Sequence, residues 1–347
     1  MEFKEYHFNI HNLSKFKVYS IETPKHILQE YHMFISKSKI ENPDIEIYLH
    51  RFEPRLRECY VIDNWLHIRK DYLYALSSYK IAKWEFEMDE KNNVIRVYGN
   101  IFSPNFIIGY LLNFMIRYKL NLKGNPVIHA SAVSKAGKSV VFAGVSGSGK
   151  TLIALALLRR GFKLLSDDYV IISNGTVLGF PKPLNIFSYN VKPISKYLTP
   201  RMRISLFLRD LLYKLSLGYT KLFLKIRLNE ISGNILEEKA ELNTIFYLLP
   251  NTNKDSVNLK KVKKDELIDY LLFNEMIEST PMLNCILDFA TIFPEEHLSR
   301  YFEIYRSNLE RILDNCRKLY ILELPCVIKS AHILNKIVAE ILNGVSL

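Results

Sequence analysis

Four cysteines in 347 residues, Cys59, Cys285, Cys316 and Cys326, stand far apart, with no CxxC pair and no metal spacing. That excludes a disulfide-stapled scaffold and predicts reduced thiols in a cytoplasmic protein. Long apolar runs are missing too. The longest, FIIGYLLNFMI from Phe106 to Ile116, falls short of the ~20 residues a spanning helix needs. It reads as a buried helix, and no transmembrane segment is expected. The opening MEFKEYHFNIHN is polar and aromatic and lacks an apolar h-region, so no signal peptide is expected. No repeat and no low-complexity linker interrupts the chain. No RNA- or DNA-binding motif appears, so no specific nucleic acid partner is expected despite a net charge of +11. That charge favours anionic partners in general and selects none of them.

Hydrophobic residues make up 48% of the chain and charged residues 24%. This is a globular balance, long enough for two domains with real cores. Residues 1–102 read as a mostly β domain. IEIYLHRF, ECYVIDNWLHIR and VIRVYGNIF alternate as strands, and DEKNN reads as a hairpin turn. Residues 103–124 read as a connecting helix, with Ser103 as N-cap and Pro104 at the first helical position. From 125 to 347 the pattern changes. PVIHASAV and KSVVFAG are short strands, TLIALALLRR is a helix stopped by Gly161, and FKLLSDDYVIIS is a further strand. Later come the strands ELNTIFYLLP and KLYILELP and three amphipathic helices.

GVSGSGKT fits the G-x-x-x-x-G-K-[ST] pattern of a P-loop, after a strand and at the start of a helix. Its glycines, Gly144, Gly147 and Gly149, let backbone N–H groups turn inward with those of Val145, Ser146 and Ser148. Lys150 supplies charge to the outer phosphates of a nucleotide, and Thr151 offers a hydroxyl to Mg²⁺. The helix start aims its positive end at the same anion. Asp167 and Asp168 close the next strand, on the side where the loop lies in an open α/β sheet. One carboxylate there could hold Mg²⁺, and the other could accept the proton of an attacking hydroxyl. His129 reads either as a satisfied core residue or as a group that orients an acid or a phosphate. Lys182, in VLGFPKPLNIF, reads either as a solvated turn lysine or as a contact to a phosphate or an acidic substrate group.

His129, GVSGSGKT, the RRG after the helix and LLSDDYVII together resemble the catalytic domain of HPr kinase/phosphorylase. The closer likeness is to the HPr-kinase-related kinases of archaea and of bacterial peptide-modification clusters. These include free-serine and lasso-peptide serine kinases. Phosphoenolpyruvate carboxykinase is a wider relative. The motif resemblance covers about residues 125 to 190. It implies an α/β fold: a P-loop kinase domain with a central sheet flanked by helices, and a smaller, mostly β N-terminal domain. It implies ATP and Mg²⁺, with Asp167 as general base for a serine-type hydroxyl. Asp168 would join Thr151 at the metal and the phosphate, and His129 would support the site. The acceptor would be a hydroxyl-bearing small molecule, such as free serine, or a peptide. Assembly as a homo-oligomer through the kinase domain is a further implication. The EIRG-like signature of true HPr kinases is absent, so HPr itself is not expected as substrate. A nucleotide-binding switch or regulatory ATPase without an acceptor is the competing reading.

The stretch from Arg203 to Leu228 mixes Leu and Phe with Arg and Lys and reads as one helix. It could lie on a membrane surface, cover the active site or form a subunit contact.

Overall fold

The computed structural model describes residues 2–186, 198–215, 224–226, 235–252, 257–326, 328 and 331–345. It is a mixed α/β structure with two eight-stranded sheets. The chain separates into two units, Met1–Pro126 with Met276–Asn308, and Val127–Glu275 with Leu309–Leu347.

The first unit holds β1 (Lys4–Ile10), β2 (Ser14–Ser20), β3 (Ile45–Leu49), β4 (Tyr60–Ile62), β5 (Leu66–Arg69), β6 (Tyr72–Tyr79), β7 (Ala82–Asp89) and β8 (Val94–Gly99). Their order is β1-β2-β3-β8-β7-β6-β5-β4. Alternation decides which face is buried: Phe16 and Val18, Ile45 and Ile47, Ile95 and Val97 all point to the core. The opposite face carries Tyr19, Glu46, Tyr48 and Arg96, joined by hydrogen bonds and ring contacts. The hairpin expected at DEKNN joins β7 to β8. The single strand expected over ECYVIDNWLHIR is two, β4 and β5. Asp63 and Asn64 take positive φ values of 46° and 56° and turn the chain back. Asp and Asn tolerate that conformation better than most side chains. Residues 104–122 are helical throughout, with a π-type stretch at Ile107–Leu112.

The second unit holds β9 (Val127–Lys135), β10 (Lys138–Ala143), β11 (Lys163–Ser166), β12 (Asp168–Ser173), β13 (Thr176–Pro181), β14 (Leu184–Ile186), β15 (Leu224–Ile226), β16 (Lys239–Asn251), β17 (Asn258–Lys261) and β18 (Lys318–Pro325). The strands β10, β9, β12, β13 and β16 pair in turn, and β16 pairs back to β10, closing a ring. Beyond the ring, β16 continues and pairs in parallel with β18.

The helix Lys150–Leu158 is apolar nearly all round because it is buried nearly all round. Ile153, Leu155 and Leu157 pack in one cluster with Phe142 and Phe246 of the sheet and with Ile337 and Ile341 of the helix Ala331–Gly344. At roughly 2 kcal/mol for each large side chain buried, this cluster anchors the N-terminal end of the helix where it stands.

Two expectations change. FKLLSDDYVIIS is not one strand: it breaks at Asp167, and Asp168 takes a φ of 87°. Both β11 and β12 run antiparallel to β9, and the register against β9 shifts once, between Leu164 and Ser166, just before the break. Of the helix expected from Arg203 to Leu228, the described residues show helix over Pro200–Leu215. Leu224–Ile226 pairs with Leu184–Ile186 instead, following the apolar-polar-apolar alternation of Leu, Lys and Ile. The rest of that expectation lies outside the described residues.

Candidate active site

The loop from Gly144 to Gly149 joins the end of β10 to the helix Lys150–Leu158. Gly144 has a φ of 144°, and a Cβ there would come within 2.9 Å of the Leu248 carbonyl oxygen on β16. Gly149 caps the helix with a φ of 93°. Neither position accepts a side chain without strain. Val145 is half-buried, and Ser146 and Gly147 form the exposed tip. The buried Lys150 folds back over the loop, and its Nζ donates to the carbonyl oxygens of Gly144 at 2.6 Å and Val145 at 3.0 Å. The Ser148 hydroxyl is buried and makes no hydrogen bond. Backbone N–H groups at a helix start, a lysine ammonium and an unused buried hydroxyl suit an anion with several oxygens. A nucleotide's phosphates fit that set.

Alternation along β9 places His129 and Ser131 on one face. Each meets a different acid. Ser131 Oγ donates a short hydrogen bond to Asp167 Oδ1. His129 Nε2 lies 3.2 Å from Asp168 Oδ1. The first turn of the helix supplies Thr151, whose hydroxyl donates to Asp167 at 2.8 and 3.0 Å. Lys150, Thr151, Asp167, Asp168 and His129 therefore fall in one connected region, as do the loop residues from Gly144 to Gly149. The contact made by Thr151 is to Asp167, the acid the sequence reading gave to the base, and not to Asp168, the acid it gave to the metal.

The two acids differ electrically. Burial pushes the Asp167 carboxyl up, and the neighbouring Asp168 charge adds to this; the Ser131 and Thr151 hydrogen bonds only partly oppose it. Burial also pushes Asp168 up, but the Lys182 charge and the His129 contact outweigh it and hold that carboxyl well below the usual range. Asp168 nevertheless keeps 43% of its side chain exposed, while Lys182 beneath it is 5% exposed. One acid is proton-hungry. The other is fixed as an anion with an open side.

Sequence reasoning singled out Lys182 but left it open, and missed Ser131 and Tyr169. Lys182 is not a solvated turn residue. Its Nζ lies 3.0 Å from Asp168 Oδ2 and 4.3 Å from the centre of the Tyr169 ring. Asp168 pairs with Pro181, the last residue of β13, so Lys182 follows directly where the strand ends, beside an Asp168 whose φ of 87° turns it out of regular strand geometry. Its following proline, Pro183, restricts Lys182 to extended backbone. The signal for Ser131 was its spacing of two from His129.

Among the described residues no group of three or more His, Cys, Asp and Glu could hold a metal ion alone. Mg²⁺ in particular does not need such a cage. It commonly takes one or two protein oxygens together with phosphate oxygens and waters. Thr151 with either aspartate fits that demand.

No family model matches the chain, and no curated protein matches it. Among solved structures it is similar to the Hpr(Ser) kinase/phosphatase from Coxiella burnetii, at 12% identity and a TM-score of 0.23. The similarity covers 62% of this chain and 94% of that one. So loose a likeness leaves the chemistry to the residues themselves.

Proposed function

We propose that this chain is an ATP-dependent kinase that transfers the γ-phosphate to a serine-type hydroxyl. The acceptor is a small molecule such as free serine, or a peptide or protein side chain. The observation that carries the reading is the convergence of Lys150, Thr151 and the two unlike acids at one helix start.

The loop N–H groups and Lys150 hold the phosphate chain and neutralise it. When bound with the nucleotide, Mg²⁺ spreads the charge of the outer phosphates. Thr151 and Asp168 would hold the cation, and Asp168 suits this because Lys182 and His129 keep it ionised. Asp167 takes the proton of the acceptor hydroxyl. Its raised proton affinity suits a base, and Ser131 orients it. His129 and Lys182 position Asp168 from the buried side.

The Thr151–Asp167 contact supports a second division of labour, in which Asp167 shares the cation and Asp168 faces the acceptor. The Mg²⁺ dependence of turnover in Asp167→Asn and Asp168→Asn separates the two. The variant that needs much more Mg²⁺ has lost the metal acid.

Incubation with γ-labelled ATP, Mg²⁺ and a panel headed by L-serine and serine-bearing peptides tests the main reading. Label on one acceptor, lost in Asp167→Asn, supports a kinase. Label released only as free phosphate favours the regulatory ATPase or switch.

A further inference from the structure

The helix Pro200–Leu215 buries one side and leaves an apolar band on the other. Leu206 is buried, and Met202 packs on the core of the second unit. At ~100° per residue, Ile204, Phe207, Leu208, Leu211, Leu212 and Leu215 fall in one band roughly 140° wide, opposite Leu206. These six side chains are exposed by 43% to 71%. Water-facing leucine and phenylalanine at every turn of a helix is not how a solvated helix is built.

The charges around the band are nearly all of one sign. Arg203 and Lys214 line one side, Arg209 lines the other, and Arg201 stands at the first turn. The one acid in the helix, Asp210, stands on the same border as Arg203 and Lys214 and pairs with Lys214 at 2.9 Å.

We propose that this face lies flat on an anionic phospholipid surface. The apolar band enters the acyl boundary, and the arginines and Lys214 reach the headgroup phosphates. A second copy of the same face is the poorer occupant. Two-fold pairing would set basic borders against basic borders. The helix has 16 residues, about 24 Å at 1.5 Å per residue, so it can lie along a bilayer but not cross it. Among the described residues no helix is long and apolar enough to cross. The net charge of +11 draws the whole molecule the same way.

The test is sedimentation of the full chain with vesicles of phosphatidylcholine alone and of phosphatidylcholine mixed equally with phosphatidylglycerol. Binding to the anionic vesicles should be about 100-fold tighter, given about 1 kcal/mol for each of three net basic charges near such a surface. It should weaken with salt. Phe207→Glu with Leu211→Glu should abolish it while circular dichroism and the unfolding temperature stay unchanged. Phe207→Trp should show a blue-shifted emission with the anionic vesicles. If that double variant misfolds, the Phe207→Trp emission alone decides. Equal binding to both vesicles, no binding, or an unshifted emission overturns the proposal. So does a concentration-dependent dimer that the double variant disperses without any lipid effect.

Discussion

Lys182 and Asp168 form an ion pair at 3.0 Å in which the lysine is buried and the aspartate half-exposed. The burial is on the cation's side, where the Tyr169 ring faces the ammonium. The anion keeps an open side. Such a pair holds one carboxylate charged and oriented without closing it off. Lys182→Met should leave nucleotide binding intact and lower the rate of transfer by roughly 10- to 100-fold, the range for losing a positioning group in a charged site. It should also raise the Asp168 pKa. Steady-state kinetics with a separate nucleotide-binding assay, and carboxyl titration by NMR, check both parts.

Asp167 should behave oppositely. Its pKa is raised by burial, so the folded state binds a proton more tightly than the unfolded state. Asp167 therefore costs stability as pH rises through its folded pKa. Asp167→Asn should bind nucleotide, lose transfer by at least roughly 100-fold, and unfold at a higher temperature than the parent at neutral pH. Calorimetry at pH 5 and pH 8 checks the sign. The stabilisation should be larger at the higher pH.

Removing Ser131 takes away a hydrogen bond that favours the ionised form of Asp167. Ser131→Ala should move the acidic limb of the pH–rate profile to higher pH while leaving nucleotide affinity unchanged. A profile that stays in place would detach Asp167 from the proton transfer.

Gly144→Ala places a methyl group 2.9 Å from the Leu248 carbonyl oxygen at a φ of 144°. The strain, of order 1–3 kcal/mol, falls on the loop and not on the core. Nucleotide affinity should drop by about tenfold or more, with a small change in unfolding temperature. Isothermal titration beside a melting curve separates the two effects.

In the buried helix, Leu155→Ala should cost about 2–5 kcal/mol, because the side chain is 1% exposed and the site is packed on all sides. Denaturant unfolding measures it.

The sequence made the site's local parts legible. The glycine spacing announced the loop, and the apolar helix after it announced its own burial. The acid pair stood out because two adjacent carboxylates are rare within a buried segment. What stayed hidden was long-range. Nothing local says that Asp168 adopts a positive φ and breaks the strand. That depends on β12 pairing with β13 at a register that sets Asp168 opposite Pro181. Lys182 could not be told from a solvated turn residue for the same reason. The helix expected beyond Leu215 failed at Leu224–Ile226, where pairing with Leu184–Ile186 overrode a pattern that suited either structure. In the N-terminal unit, Asp63 and Asn64 carried a turn signal inside a stretch that alternated well enough to pass for one strand.

The long strand β16 gives the site a dependence on the order of synthesis. Every proposed chemical residue lies between His129 and Lys182, yet the Leu248 oxygen that crowds Gly144 comes about a hundred residues later. β10 is flanked on one side by β9 and on the other by β16, and β16 leans in turn on β18 at Lys318–Pro325. A ribosome that has released the loop, the acids and the lysine has therefore not yet made the wall they stand against. Bringing such distant strands together carries a loop-closure cost before any contact offsets it. A nascent chain halted near residue 200 holds all the proposed catalytic groups and lacks the strand that shapes their cradle.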